Sequence, residues 1–409
     1  MRLHLSGPSD KLLKETIKIT GSKSESNRSL LLSALYDGIE ILNLSNSDDA
    51  QVMGQGLTKK SGAVDIHHAG TAMRFLTGYF ATLEGSDVTL TGSKRMTERP
   101  IKILVDALKE LGADISYVNQ EGYPPLKIKG KKITKNKVSL PANVSSQYIS
   151  SLLLVAPSLE NGLELELVGK ITSVPYIKMT LSLLGEIGVS TSFEENTIIV
   201  GATPTVAATT LVVESDWSSA SYFYSIVALA ETGTEITLSA YKKNSLQGDS
   251  VLSEIYNQFG VETVFGDNQI RLKKVSECKQ SNIELDLANA PDIAQTIAVT
   301  CFGLGIGCHL TGLHTLKIKE TDRLEALKTE LSKLGANISV TDKTLTLRVG
   351  DKINSEVAID TYNDHRMAMA FAPLAMKTSL FVNDAMVVSK SYPDFWEDMK
   401  TLQFKVEEL

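Results

Sequence analysis

Nine basic side chains stand out by where they fall: Lys23, Arg28, Arg74, Arg95, Arg99, Lys319, Arg323, Arg366 and Lys390. Each lies at or near a point where a polar cluster runs into a helical pattern. A few carboxylates, Asp292, Glu320, Asp322 and Asp364, stand among them. Guanidinium forks and ammonium groups suit phosphate and carboxylate ligands. A carboxylate held among cations stays ionised at neutral pH and can act as a base. Such a set supports binding of a multiply charged anion and proton transfer on it. The chain of 409 residues carries a net charge of −7, so the set is built against the overall charge. That balance disfavours general nucleic-acid binding.

Other chemistries lack their residues. Gly169-Lys170-Ile171-Thr172 looks like the end of a phosphate-binding loop, but Glu164 stands where its first glycine must be and Ile171 follows the lysine. Gly303, Gly305 and Gly307 do not have dinucleotide-binding spacing. His67-His68 is not a helical metal pair, and no Cys/His set has zinc spacing. We therefore expect no metal and no cofactor. Three cysteines, Cys278, Cys301 and Cys308, fit a reducing compartment, the last two as buried thiols in an apolar run. Residues 1–6 lack the apolar core of a secretory signal. The longest apolar run, 293–306, is broken by Gln295 and Thr300. A cytoplasmic protein with no membrane partner is expected.

The elements that must position these residues recur. Six polar openings lead into apolar helices: Lys23–Arg28, Ala69–Arg74, Val144–Gln147, Asp216–Ser219, Ala290–Gln295 and Asn363–Arg366. A helix N-terminus offers unpaired N–H groups and a positive dipole end to anions. A second series of helices ends in glycine turns at Gly62, Gly112, Gly188, Gly260 and Gly335, evenly spaced except for a shorter first interval, with a degenerate copy from Trp396 to Phe404. Both series recur in phase, so the chain reads as six α/β units, three before about residue 214 and three after. First-series helices such as 150–157 are apolar nearly all round and belong inside a domain. Second-series helices mix charge with apolar residues and should lie at the surface. Pro100, Pro175 and Pro393 suit their starts, and Asp322 with Glu325 has capping-box spacing.

Five motifs, in this order, carry a resemblance: Gly21-Ser22-Lys23-Ser24-Glu25-Ser26-Asn27-Arg28, Ala69-Gly70-Thr71-Ala72-Met73-Arg74, Arg95-Met96-Thr97-Glu98-Arg99-Pro100, Lys319-Glu320-Thr321-Asp322-Arg323 and Asn363-Asp364-His365-Arg366-Met367-Ala368. Together they resemble the signatures of the EPSP synthase family, from about Gly21 to Lys390. The resemblance implies an α/β enolpyruvyl transferase fold of two domains, residues 22–214 and residues 1–21 with 215–409. Each would be a threefold pseudo-repeat of βαβαββ-like units with buried helices, the two closing on ligand. It implies transfer of the enolpyruvyl group of phosphoenolpyruvate to the 5-hydroxyl of shikimate 3-phosphate, without a cofactor, by a monomer.

Carried over by matching position, the resemblance assigns Lys23, Ser24, Arg28, Ser145, Ser146, Gln147, Ser173, Tyr176, Asp292 and Lys319 to shikimate 3-phosphate. It assigns Lys23, Gly70, Arg95, Gln147, Arg323, Arg366 and Lys390 to phosphoenolpyruvate. Asp292 would be the base, Glu320 the proton donor, and Lys23 a further catalytic group. This chain departs from the family at His68 and Thr315, where asparagine is usual, and at Phe75, where proline or leucine is common. The segment 57–68 is short, so one strand pair of the first unit is expected to be missing. The related UDP-N-acetylglucosamine enolpyruvyl transferases use a cysteine in a first-domain loop, whereas the first cysteine here is Cys278. A non-catalytic anion-binding protein on the same scaffold is the other alternative, and Asp292 with Glu320 speaks against it.

Overall fold

The inner helices carry almost no charge past their first turn, and that decides the architecture. Gly70–Thr82 buries every residue from Gly70 to Ala81, and Trp217–Leu229 buries all but Ser218. Helices without a wet face must pack on one another. The Gly70 helix lies against Ser146–Val155, and Trp217–Leu229 lies against Ala294–Leu304. Two glycines permit the approach. A Cβ on Gly78 would sit 2.6 Å from Ser151 Oγ, and one on Gly303 would sit 2.7 Å from Leu229 Cδ2.

A computed structural model of the protein describes residues 1–10, 12–142, 145–169, 171, 174–350 and 352–409. The chain forms two compact units, Met1–Thr20 with Glu214–Leu409, and Gly21–Val213. In the second of these the inner helices are Lys23–Leu35, Gly70–Thr82 and Ser146–Val155. In the first they are Trp217–Leu229, Ala294–Leu304 and His365–Phe371. The six polar openings of the sequence are the starts of these six helices, Val144 of the third lying outside the described residues and the fifth beginning as a 3-10 turn over Pro291–Ile293.

Each full repeat follows one order. Ser61–Asp65 runs parallel to Asp87–Thr91, with the Gly70 helix as crossover. The outer helix Lys102–Leu111 follows and ends at Gly112, whose φ of 111° is left-handed. A hairpin then closes the sheet, Leu126–Lys129 pairing antiparallel with both Asp87–Thr91 and Asp114–Tyr117. Val88, Leu90, Leu126 and Ile128 alternate inward onto the helices. The same strand order recurs in five four-stranded sheets, three of them in the unit that holds both chain termini. In the sixth outer helix Gln403, not glycine, takes the left-handed position, at φ 62°.

The first repeat differs. Its sheet has only Ile39–Leu42 and Thr209–Val212, paired in parallel. The outer helix Asp48–Leu57 runs directly into Ser61–Asp65, which opens the next repeat. The strand pair that the short 57–68 segment left out is therefore absent among the described residues.

The N-terminal strands complete two distant repeats. Leu3–Ser6 lies between Leu380–Val382 and Lys405–Glu408, antiparallel to both, as the last strand of the sixth repeat. Lys14–Ile17 pairs in parallel with Glu235–Ser239 and opens the fourth. The chain leaves this unit after Thr20, builds all of Gly21–Val213 and returns at Glu214. Cys301 and Cys308 are buried thiols and Cys278 is partly exposed. Among the described residues no helix is long and apolar enough to cross a membrane.

Candidate active site

In the unit Gly21–Val213 the first cation is Lys23, the opening residue of its helix. Its Nζ pairs with Asp49 Oδ2 at 3.1 Å, and Asp49 is buried at the start of the outer helix Asp48–Leu57. Arg28 lies one turn further on and is buried. Its Nε donates to Thr180 Oγ1 at 2.8 Å, Nη2 to Ser150 Oγ at 2.9 Å and the Tyr176 carbonyl at 3.5 Å, and Nη1 to the Ser24 carbonyl at 2.6 Å. The guanidinium carbon stands 5.3 Å from the centre of the Phe75 ring, so Phe75 is a core residue that carries Arg28. Burial draws the Arg28 pKa down to about 10 against the opposing fields of Tyr176 and Glu25. Arg28 stays charged, but most of its N–H groups already serve the protein.

Gly70 starts the second inner helix beneath Arg99. A Cβ there would lie 2.6 Å from Arg99 Nη1, so only glycine admits the guanidinium in this position. Arg74 donates to the carbonyls of Gly70 at 3.0 Å and Pro100 at 3.3 Å, and Tyr148 Oη also donates to the Pro100 carbonyl, at 2.6 Å. These bonds tether the segment 94–100 to the helix start. Arg95, on that segment, is half exposed and faces Glu98 Oε2 at 3.4 Å. His68 Nδ1 lies 2.9 Å from Ser93 Oγ. Ser145 caps the third inner helix by accepting from the Gln147 N–H, and Gln147 Nε2 donates to Thr71 Oγ1 at 3.1 Å. Gln147 thereby joins the starts of the second and third helices, with Ser146 buried beside it. Ser173 lies outside the described residues.

The other unit builds its site around one arginine. The sequence places Arg323 at the start of a surface helix, yet it is only 1% exposed. Asp322 caps that helix by accepting from the N–H groups of Leu324 and Glu325. Arg323 Nε donates to Asp364 Oδ2 at 2.6 Å, Nη1 to Asp292 Oδ1 at 2.8 Å and Nη2 to Glu320 Oε2 at 2.8 Å. Three carboxylates from three elements thus share one planar fork.

Asp292, on the Pro291–Ile293 turn, also faces Lys319 Nζ at 3.3 Å and Arg366 Nη2 at 3.5 Å. Burial pushes its carboxyl upward, but Lys319, Arg366 and Arg323 prevail and hold it well below the usual carboxylate range. Burial likewise opposes the charge on Arg323. The carboxylates of Asp364, Glu320 and Asp292 overcome it and raise Arg323 above the ordinary guanidinium value. Asp364 is fully buried and also accepts from the Arg366 N–H at 2.9 Å, capping the sixth inner helix. Before it, Tyr362 and Asn363 are both left-handed, at φ 54° and 55°, in a turn closed by Asp364 N–H to Thr361 carbonyl at 2.8 Å. Lys390 Nζ donates to the Asn363 carbonyl at 2.6 Å and braces the turn. A tyrosine in this region is strained, and such strain gathers where a site is held in shape.

The structure therefore groups Lys23, Ser24, Arg28 and Tyr176 in one cluster and Gly70, Arg95, Ser145, Ser146 and Gln147 in another. In the other unit it groups Asp292, Lys319, Glu320, Arg323, Arg366 and Lys390. Asp49, Ser150, Thr180, Ser218 and Asp249 were not picked out in the sequence. The only signal for Asp49 is a carboxylate within an ordinary capped helix start, Ser47-Asp48-Asp49. Ser218 falls within the polar opening Asp216–Ser219, whereas Ser150 and Thr180 carry no signal.

Two units of buried helices walled by repeated βαβαββ sheets, each presenting cationic helix starts, define an enolpyruvyl transferase scaffold. The fold is similar to a solved EPSP synthase of Acinetobacter baumannii, with a TM-score of 0.83 at 22% identity over 100% of both chains. It is also similar to the enolpyruvyl transferase NikO of Streptomyces tendae, with a TM-score of 0.75 at 13% identity over 99% of this chain and 98% of that one. Residues 38–399 match the family model described as EPSP synthase (3-phosphoshikimate 1-carboxyvinyltransferase). A 3-phosphoshikimate 1-carboxyvinyltransferase of Bacteroides fragilis is 46% identical over 412 residues, covering 100% of this chain and 99% of its own. One of Shewanella pealeana is 35% identical over 422 residues, covering 96% and 97%. The chain belongs to the EPSP synthase family.

Proposed function

We propose that the protein transfers the enolpyruvyl group of phosphoenolpyruvate to the 5-hydroxyl of shikimate 3-phosphate and releases phosphate. The observation that carries this reading is Asp292, a carboxylate held ionised among Lys319, Arg323 and Arg366 and beside Glu320. One acid, one base and fixed cations are what the reaction requires. The enol carbon of the donor takes a proton and the hydroxyl oxygen bonds to the neighbouring carbon as its own proton leaves. The tetrahedral adduct then loses phosphate as a methyl proton is removed. Asp292 takes the hydroxyl proton, which then passes to the departing phosphate. Glu320 gives the proton to the enol carbon and takes one back in the second step.

A base is most effective when its pKa approaches the working pH, and Asp292 lies far below it when paired with three cations. Substrate phosphate and carboxylate groups compete for Lys319 and Arg366. As those cations turn to substrate, the field on Asp292 weakens and its basicity rises. Ground-state pairing thus keeps the base ionised, and substrate anions release it.

In this reading Lys319, Asp292, Lys23, Ser24, Arg28, Ser145, Ser146, Gln147, Ser173 and Tyr176 are the ligands of shikimate 3-phosphate. Arg366 and Lys390 hold phosphoenolpyruvate, with Lys23, Gly70, Arg95 and Gln147. Arg28 and Arg323 act mainly as positioning residues with a remaining N–H for ligand, because their forks are largely committed to protein oxygens. Cytoplasmic location and a monomer belong to the same proposal.

The test is phosphate release from phosphoenolpyruvate with shikimate 3-phosphate or UDP-N-acetylglucosamine as acceptor. Release with the first alone is expected. No release with it, or release only with the second, overturns the proposal.

A further inference from the structure

A buried carboxylate stands behind the Asp292 cluster without a place in the chemistry above. Asp249 lies on the Gly248–Val251 turn and is 3% exposed. The Ser218 hydroxyl donates to Asp249 Oδ2, and Arg366 Nη2 donates to the same Ser218 Oγ at 3.2 Å. Arg366 Nη1 also donates to the Asp292 carbonyl, at 3.3 Å. The polarity of this chain is forced. Arginine only donates, so Ser218 Oγ must accept from it, and the single hydroxyl proton must go to Asp249. Asp249 Oδ1 is buried and finds no partner among the described residues.

We propose that Asp249 is a positioning residue that aims Arg366 at the phosphoenolpyruvate anion through the Ser218 hydroxyl. The inference rests on the reading of Arg366 as a donor-substrate ligand. The turn does not need Asp249 to hold its place. Gln247 Oε1 accepts from the Trp217 N–H at 2.9 Å, and Gln247 Nε2 donates to the Ser215 carbonyl at 2.9 Å. These bonds already pin the turn to the start of the Trp217 helix. What Asp249 adds is an acceptor that fixes the hydroxyl rotor and a negative charge near a guanidinium.

The charged groups that face Asp249 are Asp292, Arg366 and Asp216, from three different elements. Burial and the Asp292 charge raise its pKa to about 6, with Arg366 opposing. Protonation below that point makes Asp249 a poorer acceptor, frees the Ser218 rotor and loosens Arg366. Affinity for phosphoenolpyruvate should therefore fall on the acid side.

The experiment compares wild type, Asp249→Asn, Asp249→Ala and Ser218→Ala by steady-state kinetics with both substrates between about pH 5 and pH 8.5, a range that spans the raised carboxyl titration. Substrate phosphate titration is common to all variants and cancels in ratios to wild type. Loss of one hydrogen bond to a charged group predicts a rise in KM for phosphoenolpyruvate of roughly tenfold in Asp249→Ala and Ser218→Ala, with KM for shikimate 3-phosphate and kcat much less affected. Asparagine keeps an acceptor oxygen, so Asp249→Asn should fall between wild type and alanine and should lose the acid-side rise in KM. A ratio of the Asp249→Asn KM to that of wild type that does not fall toward acid pH overturns the proposal, as does an unchanged KM in Ser218→Ala. Calorimetric titration of each folded variant with phosphoenolpyruvate gives the same ordering without turnover. If wild type releases no phosphate, the functional reading fails, while the relay is still decided by that titration.

Discussion

Arg323 Nη1 lies 2.8 Å from Asp292 Oδ1, and the same guanidinium holds Asp364 and Glu320 at its other nitrogens. The base proposed for the reaction, the acid beside it and the cap of the Arg366 helix are thus indexed to one buried side chain.

Removing that side chain should cost stability as well as turnover. Arg323→Ala leaves Asp364 as a buried charge without its fork and should destabilise the protein by about 3–5 kcal/mol. Arg323→Lys keeps the charge but cannot reach three carboxylates, so a loss of roughly 2 kcal/mol is expected. Urea unfolding midpoints check this. A lysine variant as stable as wild type would show that the three-way fork is dispensable.

Asp292→Asn should separate binding from chemistry. The amide keeps the shape but cannot take the hydroxyl proton, and loss of a general base lowers turnover by about 10²–10⁴. It also removes one negative charge from among Lys319, Arg323 and Arg366, so affinity for anionic substrates should hold or improve. Turnover near wild type would reduce Asp292 to a ligand.

Gly70→Ala should act through Arg99. The new methyl meets the Arg99 guanidinium at 2.6 Å, the far end of a flexible side chain, which can move away at small cost in stability. Displacing a cation from the helix start should raise KM for phosphoenolpyruvate by roughly tenfold and change the melting temperature little. An unchanged KM would detach this helix start from the donor substrate.

Asp249 also sets a pH dependence of stability. A carboxyl whose pKa is raised on folding binds its proton more tightly when folded. Its contribution favours the fold at low pH, is lost as pH rises from the unfolded carboxylate value to about 6, and is constant above that. Asp249→Asn does not ionise and escapes the loss. Relative to wild type it should gain stability between about pH 4.5 and pH 7.5, on the order of 2 kcal/mol for a shift of this size. Parallel stability curves would mean that Asp249 is not buried as a charge.

The sequence by itself determined the six helix starts, the outer helices that end at Gly112, Gly188, Gly260 and Gly335, and the shortened first repeat; Gly62 lies instead in the strand Ser61–Asp65, because the outer helix before it already ends at Leu57. These rest on local patterns: apolar runs without charge, a left-handed glycine, a segment too short for a hairpin. It also named the cations, since charges grouped at helix starts against a net charge of −7 are visible in one dimension. The tertiary structure decided what each charge does. Arg28 and Arg323 look alike in sequence to Arg95 and Lys390, yet their forks are spent on Thr180, Ser150, Asp364 and Asp292. The Asp249–Ser218–Arg366 relay and the Lys23–Asp49 pair join residues from different helices and turns. The strands Leu3–Ser6 and Lys14–Ile17 complete repeats more than two hundred residues away. Periodicity and propensity act over a few residues, whereas a hydrogen-bond partner or a neighbouring strand is chosen by packing, and only the folded chain brings those groups within reach.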